Sequence, residues 1–104
     1  MDESAAVTAL AALGHSHRLR IFRLLVRAGA PGLRFGDIQR HLDVPASTLA
    51  HHLDALARAG LIRQERHGRE VRSRVEYARM NALLAYLQEA CCAGVPSIEE
   101  EAAE

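Results

Sequence analysis

The stretch Phe35–Gly60 constrains the fold of this chain more than any other part of the sequence. Its first half predicts a short helix over Gly36–Leu42, because Ile38 and Leu42 lie four residues apart and therefore share one side. Pro45 fixes φ and suits only the first turn of a helix, so it predicts a break followed by a second helix. Two short helices joined by a tight turn form a helix-turn-helix arrangement.

The predicted second helix has two unlike sides. With successive residues about 100° apart, its leucines fall together on one side, and Gly60 predicts its C-terminal end. These leucines are Leu49, Leu53 and Leu56. The opposite side carries Ser47, His51 and Arg58, with Thr48 near its edge. An apolar side, small polar groups near the N-terminus and an Arg suit a helix that reads bases in the major groove of DNA.

The length of 104 residues predicts a single domain with a modest core. The sequence has no apolar run of the roughly 18 residues that a membrane span needs, and no basic N-terminal region followed by an apolar segment. We therefore expect a cytoplasmic protein with no membrane partner. Its two cysteines are adjacent, which in a reducing compartment indicates metal binding or redox chemistry rather than a disulfide framework.

The formal net charge of zero hides an asymmetry along the chain. All 13 basic residues are Arg and lie between Arg18 and Arg79, where only 6 acidic residues balance them. This central span therefore carries a net charge of +7, and the other 7 acidic residues lie towards the two ends. A basic centre suits a polyanion such as DNA, since cations there release counterions from phosphates. A solvated Arg-rich surface would show the same pattern.

Two more helices are predicted before the helix-turn-helix. Ser4–Leu13 is a short helix with Val7, Leu10 and Leu13 on one stripe, and it needs a larger element to pack on. His17–Ala28 carries apolar residues over more than half of its circumference, so it belongs at the centre of the domain. A turn rich in Gly and Pro follows it.

The residues after the helix-turn-helix predict a β-hairpin. Leu61–His67 is predicted as one strand, Gly68–Glu70 as the turn and Val71–Tyr77 as the second strand. One face of the second strand carries Val71, Ser73, Val75 and Tyr77, and the other carries Arg72, Arg74 and Glu76. A β-hairpin directly behind a helix-turn-helix is a wing.

A final helix is predicted over Arg79–Ala93, ended by Gly94 and Pro96. Its apolar stripe consists of Met80, Leu83, Leu84, Leu87 and Cys91. We therefore expect one domain over residues 1–96 and a frayed acidic tail over residues 97–104. The run Glu99–Glu101 in this tail is expected to be solvated rather than a zinc ligand set.

This order of elements resembles the ArsR/SmtB family of metalloregulatory winged-helix repressors. The resemblance covers about residues 5–93 and rests on His15–Leu25 (HSHRLRIFRLL), Val44–Leu53 (VPASTLAHHL), Ala57–Ile62 (ARAGLI) and the wing around Gly68. It implies a mainly α fold with a small β-hairpin, and a homodimer that is joined by the first and last helices and lies over operator DNA. It also implies that an inducer lowers the DNA affinity of this dimer.

In such a fold, direct base reading is expected from Ser47, Thr48 and His51. Contacts to phosphates or the minor groove are expected from Arg58, Arg66, His67, Arg69 and Arg72. The alternative for each wing residue is a solvated strand position. A winged-helix module that binds a protein instead of DNA is a further alternative, which a salt-dependent DNA-binding measurement separates.

The adjacent Cys91 and Cys92 resemble the C-terminal cysteine pair of family members that respond to trivalent arsenic or antimony. Other family sites are missing, because residues 33–38 contain no Cys and the last helix lacks the ligand spacing of the zinc sensors. Some members carry a third thiol on the wing, where this chain has Ser73. The expected inducer is therefore As(III), Sb(III) or methylarsenite held by two thiols, and no cofactor is required.

On an intact last helix, Cys91 would continue the leucine stripe and Cys92 would point about 100° away. Sharing one ion would then require the last turn to loosen, which would reshape the dimer interface. Oxidant or persulfide sensing by the pair and inert, packed cysteines are the alternatives. No nucleophile motif with an orienting acid accompanies the thiols, so an enzyme is not expected.

The spacing of the remaining histidines indicates structural roles. His15, His17 and His41 do not form a ligand cluster by spacing alone, and each is expected to be a surface or capping residue. His52 lies about 80° from the apolar centre of the second helix. We expect it to be a packed or hydrogen-bonded histidine.

Overall fold

The computed structural model describes residues 1–96 and shows, over that range, five helices around a small antiparallel sheet. The predicted fold class, a mainly α winged helix-turn-helix with a β-hairpin, is confirmed. No helix among these residues is long and apolar enough to cross a membrane. The predicted tail over residues 97–104, with its Glu99–Glu101 run, lies outside the described residues. The elements are α1 (Glu3–Leu13), α2 (Ser16–Ala28), β1 (Leu33–Arg34), α3 (Phe35–Leu42), α4 (Ala46–Arg58), β2 (Ile62–His67), β3 (Glu70–Val75) and α5 (Tyr77–Gln88).

The core forms where α2 and α4 pack against each other. The three leucines predicted to face inward on α4 are fully buried, as are Ile21 and Leu25 of α2. Burying one such side chain stabilises a fold by roughly 1.5–3 kcal/mol. This apolar contact therefore fixes the orientation of α4, and with it the direction in which the polar side of α4 points.

The turn between α3 and α4 is short and well hydrogen-bonded. Asp43 adopts the left-handed conformation (φ 51°) that ends α3, and its N–H donates to the Gln39 carbonyl at 2.8 Å. The Gln39 side-chain amide donates to the Val44 carbonyl at 3.2 Å. Pro45 then stands immediately before the first residue of α4, as predicted.

Gly60 ends α4, also as predicted. Its φ of 78° lies in the left-handed region, which glycine adopts without the steric cost of a Cβ. The Gly60 N–H donates to the Ala57 carbonyl at 3.0 Å, and the Leu61 N–H donates to the Leu56 carbonyl at 3.1 Å. These two bonds form a Schellman motif, which turns the chain directly into β2.

The wing contains one strand more than the predicted hairpin. β2 and β3 pair as expected, and β1 adds to the other edge of β3, giving the order β1-β3-β2. Gly32 permits this pairing, because a Cβ there would collide with the Ser73 backbone and its φ of 65° disfavours other residues. A strand of two residues is too short to show the alternation that predicts strands.

The last helix differs from the prediction at both ends. α5 begins at Tyr77, which was predicted to end the second strand, and it ends at Gln88 instead of Ala93. Glu89 leaves the helix with a ψ of 133°, and Ala90 is left-handed with a φ of 57°. The side chains after residue 86 are exposed, so a further turn would gain no packing, and helices extend poorly without it.

The first helix packs on the domain through its alanines. Ala6, Ala9 and Ala12 are buried, and these small side chains let α1 approach the body closely. The predicted stripe therefore faces outward at Val7 and Leu10, both of which are exposed, whereas Leu13 packs against the core.

Candidate nucleic-acid interface and cysteine pair

The two sides of α4 are separated as the sequence predicted. Ser47 and His51 are exposed, and Thr48 is half-buried at the margin. All three lie in the N-terminal half of the helix, whose opposite side is fixed in the core. This half therefore presents short polar side chains on a rigidly held helix, an arrangement that fits a groove of duplex DNA.

Arg58 lies at the other end of α4 and is paired within the helix. Its Nε donates to Asp54 Oδ2 at 2.8 Å, and an Nη also contacts this carboxylate. Both side chains are more than half exposed, and an exposed pair of this kind contributes at most about 1 kcal/mol. A phosphate can therefore compete with Asp54 for the guanidinium.

The wing residues predicted to contact DNA fall into two groups. Arg66 and Arg69 are exposed near the tip, where β2 turns into β3, and His67 is exposed with Nε2 at 3.4 Å from Glu65. Arg72 is instead built into the fold. Its Nη1 donates to the Pro31 carbonyl at 3.1 Å, and its Nη2 donates to Glu70 at 3.2 Å. Arg72 therefore ties the loop before β1 to the wing.

The cysteine pair lies beyond α5 and not on it. The prediction that Cys91 and Cys92 lie on the last helix is therefore wrong. Both side chains are exposed, unlike in the packed alternative. Cys92 is left-handed with a φ of 65°, and the two sulfur atoms lie 3.0 Å apart. The thiols thus converge without any loosening of the helix. The hydrogen bond between the sulfurs, with some burial, raises the pKa of the Cys91 thiol above its ordinary value.

The wing position considered as a third ligand does not face solvent. Ser73 is fully buried in the sheet, and its hydroxyl accepts a hydrogen bond from the Gln64 side chain at 3.4 Å. The chain holds only two cysteines. The thiol site therefore offers two sulfur ligands per chain.

The structure confirms a packed, hydrogen-bonded His52, and it also shows a cluster that spacing did not predict. His52 is buried, and its Nδ1 accepts a hydrogen bond from Arg18 Nε at 3.3 Å. His15 caps α2, because its Nδ1 accepts from the His17 N–H at 3.2 Å. These three histidines come together, with one ligand atom of each within 4.8 Å of the others. No local pattern indicates this cluster, because His15 and His17 lie at the start of α2 whereas His52 lies on α4, far along the chain.

The fold and the α4 surface define the class of protein as a DNA-binding helix-turn-helix regulator, and the comparisons identify its family. A helix-turn-helix domain family model matches residues 13–65. The chain is 30% identical to the HTH-type transcriptional regulator YgaV of Escherichia coli (strain K12) over 91 residues. These residues cover 88% of each chain.

Solved structures give the same answer. An ArsR-like transcriptional regulator from Rhodococcus sp. RHA1 is 28% identical, with a TM-score of 0.71 over 82% of this chain and 77% of that chain. HlyU from Vibrio cholerae N16961 is 26% identical, with a TM-score of 0.69 over 88% of this chain and 99% of that chain. The chain belongs to the ArsR family of winged helix-turn-helix transcriptional regulators. It is therefore a regulator and not an enzyme.

Proposed function

We propose that the protein is a homodimeric repressor that binds operator DNA through α4 and the wing. The polar side of α4 would read bases in the major groove through Ser47, Thr48 and His51. Arg58 and the wing residues Arg66, His67 and Arg69 would hold phosphates or the minor groove. The observation that supports this most is the burial of all three α4 leucines, because it leaves only the polar side available to a partner. Arg72 has the weakest claim, since two protein groups already bind it.

The dimer is proposed to form through α1 and α5. These helices pack against each other and leave four large apolar side chains outside: Val7 (58% exposed), Leu10 (43%), Leu84 (50%) and Leu87 (57%). A second copy offers the same apolar surface, so a two-fold contact would cover both at once. Such a dimer would place two α4 helices about 34–36 Å apart, one turn of DNA.

The inducer is proposed to bind Cys91 and Cys92. A soft ion bonded to two thiolates at about 2.3 Å from each needs sulfur atoms less than about 4.6 Å apart, and these are 3.0 Å apart and open to solvent. Two thiols match the two open positions of a methylated trivalent arsenical. As(III) and Sb(III) would need a third donor, from a small thiol or from the partner subunit.

The position of the cysteine pair explains how a bound inducer would change the affinity of the protein for DNA. The cysteines follow directly on the end of α5, which carries the exposed Leu84 and Leu87 of the proposed dimer contact. An ion that fixes this segment would bias the geometry of the dimer and therefore the separation of the two α4 helices.

A redox or persulfide sensor that uses the same pair is the second candidate. One relative was solved as reduced HlyU from Vibrio cholerae N16961, at 25% identity and a TM-score of 0.65. Adjacent residues place their Cα atoms about 3.8 Å apart, below the roughly 4.4–6.8 Å usual for disulfides. This favours a ligand inserted between the two sulfurs over a direct bond between them.

The test is release of the protein–DNA complex by methylarsenite, arsenite, antimonite, diamide and a persulfide donor. We expect methylarsenite to release wild-type protein, and Cys91→Ser and Cys92→Ser to bind DNA normally but not to respond. Ala93→Ser, an exposed change in the same turn, is the matched control and should respond like wild type. Release of both Cys variants by methylarsenite would exclude the dithiol, and release of wild type by diamide or persulfide alone would favour the redox candidate.

A further inference from the structure

We propose that His15, His17 and His52 form a binding site for a divalent transition-metal cation such as Zn²⁺. This site shares no residue with the cysteine pair. One potential ligand nitrogen of each ring lies within 4.8 Å of the others. Imidazole nitrogen is a preferred ligand for Zn²⁺, Ni²⁺ and Cu²⁺, and three histidines with an open fourth position form a common zinc geometry.

The packing of two core helices builds this cluster. His15 stands immediately before α2, His17 lies in its first turn, and His52 comes from the flank of α4. The ring centroids of His15 and His52 are 4.7 Å apart, and His17 lies 5.5 Å from each of them. The buried core contact between α2 and α4 therefore holds the three rings together, rather than any local sequence motif.

The cluster is open enough to admit an ion and close enough to need only small movements. His15 is exposed, His17 is half-buried and His52 is buried, so the site has a fixed floor and a solvent-facing side. Zn–N bonds of about 2.0–2.1 Å in a tetrahedral site place ligand nitrogens about 3.3 Å apart. The three ligand nitrogens start no more than 4.8 Å apart, so rotation of the His15 and His17 side chains supplies this closure.

The three rings differ in how readily they would bind. Nδ1 of His15 and Nδ1 of His52 each accept a hydrogen bond, so the other nitrogen of each neutral ring carries the proton. An ion must therefore displace these donors or shift the tautomers. No hydrogen bond engages the His17 ring among the described residues, so it is the ligand available without rearrangement.

The surroundings both help and oppose a cation. Burial, together with the neighbouring His15, Arg18, His17 and His51, lowers the pKa of His52, so its ring is neutral and able to bind at neutral pH. The guanidinium of Arg18 opposes binding, because it adds positive charge and donates to the His52 nitrogen. Arg18 therefore lowers the metal affinity of the site, and its removal should raise that affinity.

The experiment measures metal binding by the full chain in a Cys91→Ser, Cys92→Ser background, so that thiols cannot contribute. The probes are Zn²⁺ by equilibrium dialysis and Co²⁺ by its visible spectrum, with thermal unfolding as an independent readout. We expect one ion per chain, and a rise in the unfolding temperature because the ion joins α2 to α4.

Two histidine variants separate this site from general surface binding. His17→Ala should weaken binding on the order of tenfold or more and abolish the thermal shift, since it removes the unengaged ligand and leaves the core intact. His41→Ala is the matched control, an exposed histidine of α3 outside the cluster, and should behave like the parent. Equal binding by both variants, or no ion bound by the parent, would overturn the proposal.

Arg18→Met gives a test of opposite sign. It keeps the aliphatic bulk and removes both the charge and the donor to His52, so metal affinity should rise while His17→Ala lowers it. An unchanged or lower affinity in a folded Arg18→Met protein would place the ion elsewhere. None of these measurements depends on DNA or on the proposed inducer.

Discussion

The helices α4 and α5 both carry leucine stripes, yet the fold uses them differently. Every leucine predicted to face inward on α4 is fully buried within one chain. On α5 only Leu83 is buried, whereas Leu84 and Leu87 are about half exposed. A single chain thus completes the apolar side of α4 and leaves part of α5 uncovered. We infer that α4 supports the folding of the subunit, and that α5 supports its pairing.

These two roles separate when a leucine side chain is removed from each helix. Leu53→Ala in α4 should lower the free energy of unfolding by about 2–5 kcal/mol, because it leaves a cavity in a fully packed core. Urea unfolding followed by circular dichroism measures this. A loss below about 1 kcal/mol would mean that the packing around α4 readily collapses into the cavity, and that α4 is less firmly held than its burial indicates.

The matching change on α5 should act on pairing. Leu84→Ala with Leu87→Ala removes apolar surface that is already exposed, so it should change the stability of a single chain by only about 0.5 kcal/mol. It should weaken the dimer at least tenfold by sedimentation. Val95→Ala, an exposed apolar position beyond the cysteines, is the control. An unaffected dimer would show that pairing uses another surface.

The smallest expected effect is a pH dependence of stability that arises from His52 on α4. The lowered pKa of His52 means that the unfolded chain takes up a proton more readily than the folded one. The free energy of unfolding should therefore have its full value above the ordinary histidine pKa of about 6.5. It should fall as the pH drops below that value. Urea midpoints measured with a chelator between pH 8 and pH 5 test this. The urea midpoint of the His52→Gln variant should fall less steeply with decreasing pH. An equal slope in variant and wild type would show that other groups cause the effect.

The elements predicted correctly from sequence are those with strong local signals. Pro45 and Gly60 mark the two ends of α4 through backbone geometry alone, and the i, i+4 leucines define its buried side. The alternation in β3 identified the wing for the same reason. In each case the physical cause acts between residues close together in the chain.

The features that could not be predicted from the sequence depend on whether distant segments of the chain come into contact. The early end of α5 reflects the lack of packing after residue 86, which no local pattern reveals. The convergence of Cys91 and Cys92 follows from that end, since a continued helix would have separated them. The short β1 strand and the histidine cluster likewise exist only because remote segments meet.

In the proposed function, the polar side of α4 reads duplex DNA within a dimer. The most direct test selects sequences from a random duplex pool with wild-type protein and then measures binding by fluorescence anisotropy over a range of salt. We predict a palindromic site bound by two chains, with affinity that falls as salt rises. His51→Ala should weaken binding by about 1–3 kcal/mol through the lost base contact, and Arg58→Ala should weaken binding to all sequences alike through a lost phosphate contact. Arg63→Ala removes an exposed Arg paired with Glu76 at the base of the wing and should not weaken binding. No enriched sequence, or equal binding by all three variants, would show that this surface does not read DNA and would favour a winged-helix module that binds protein.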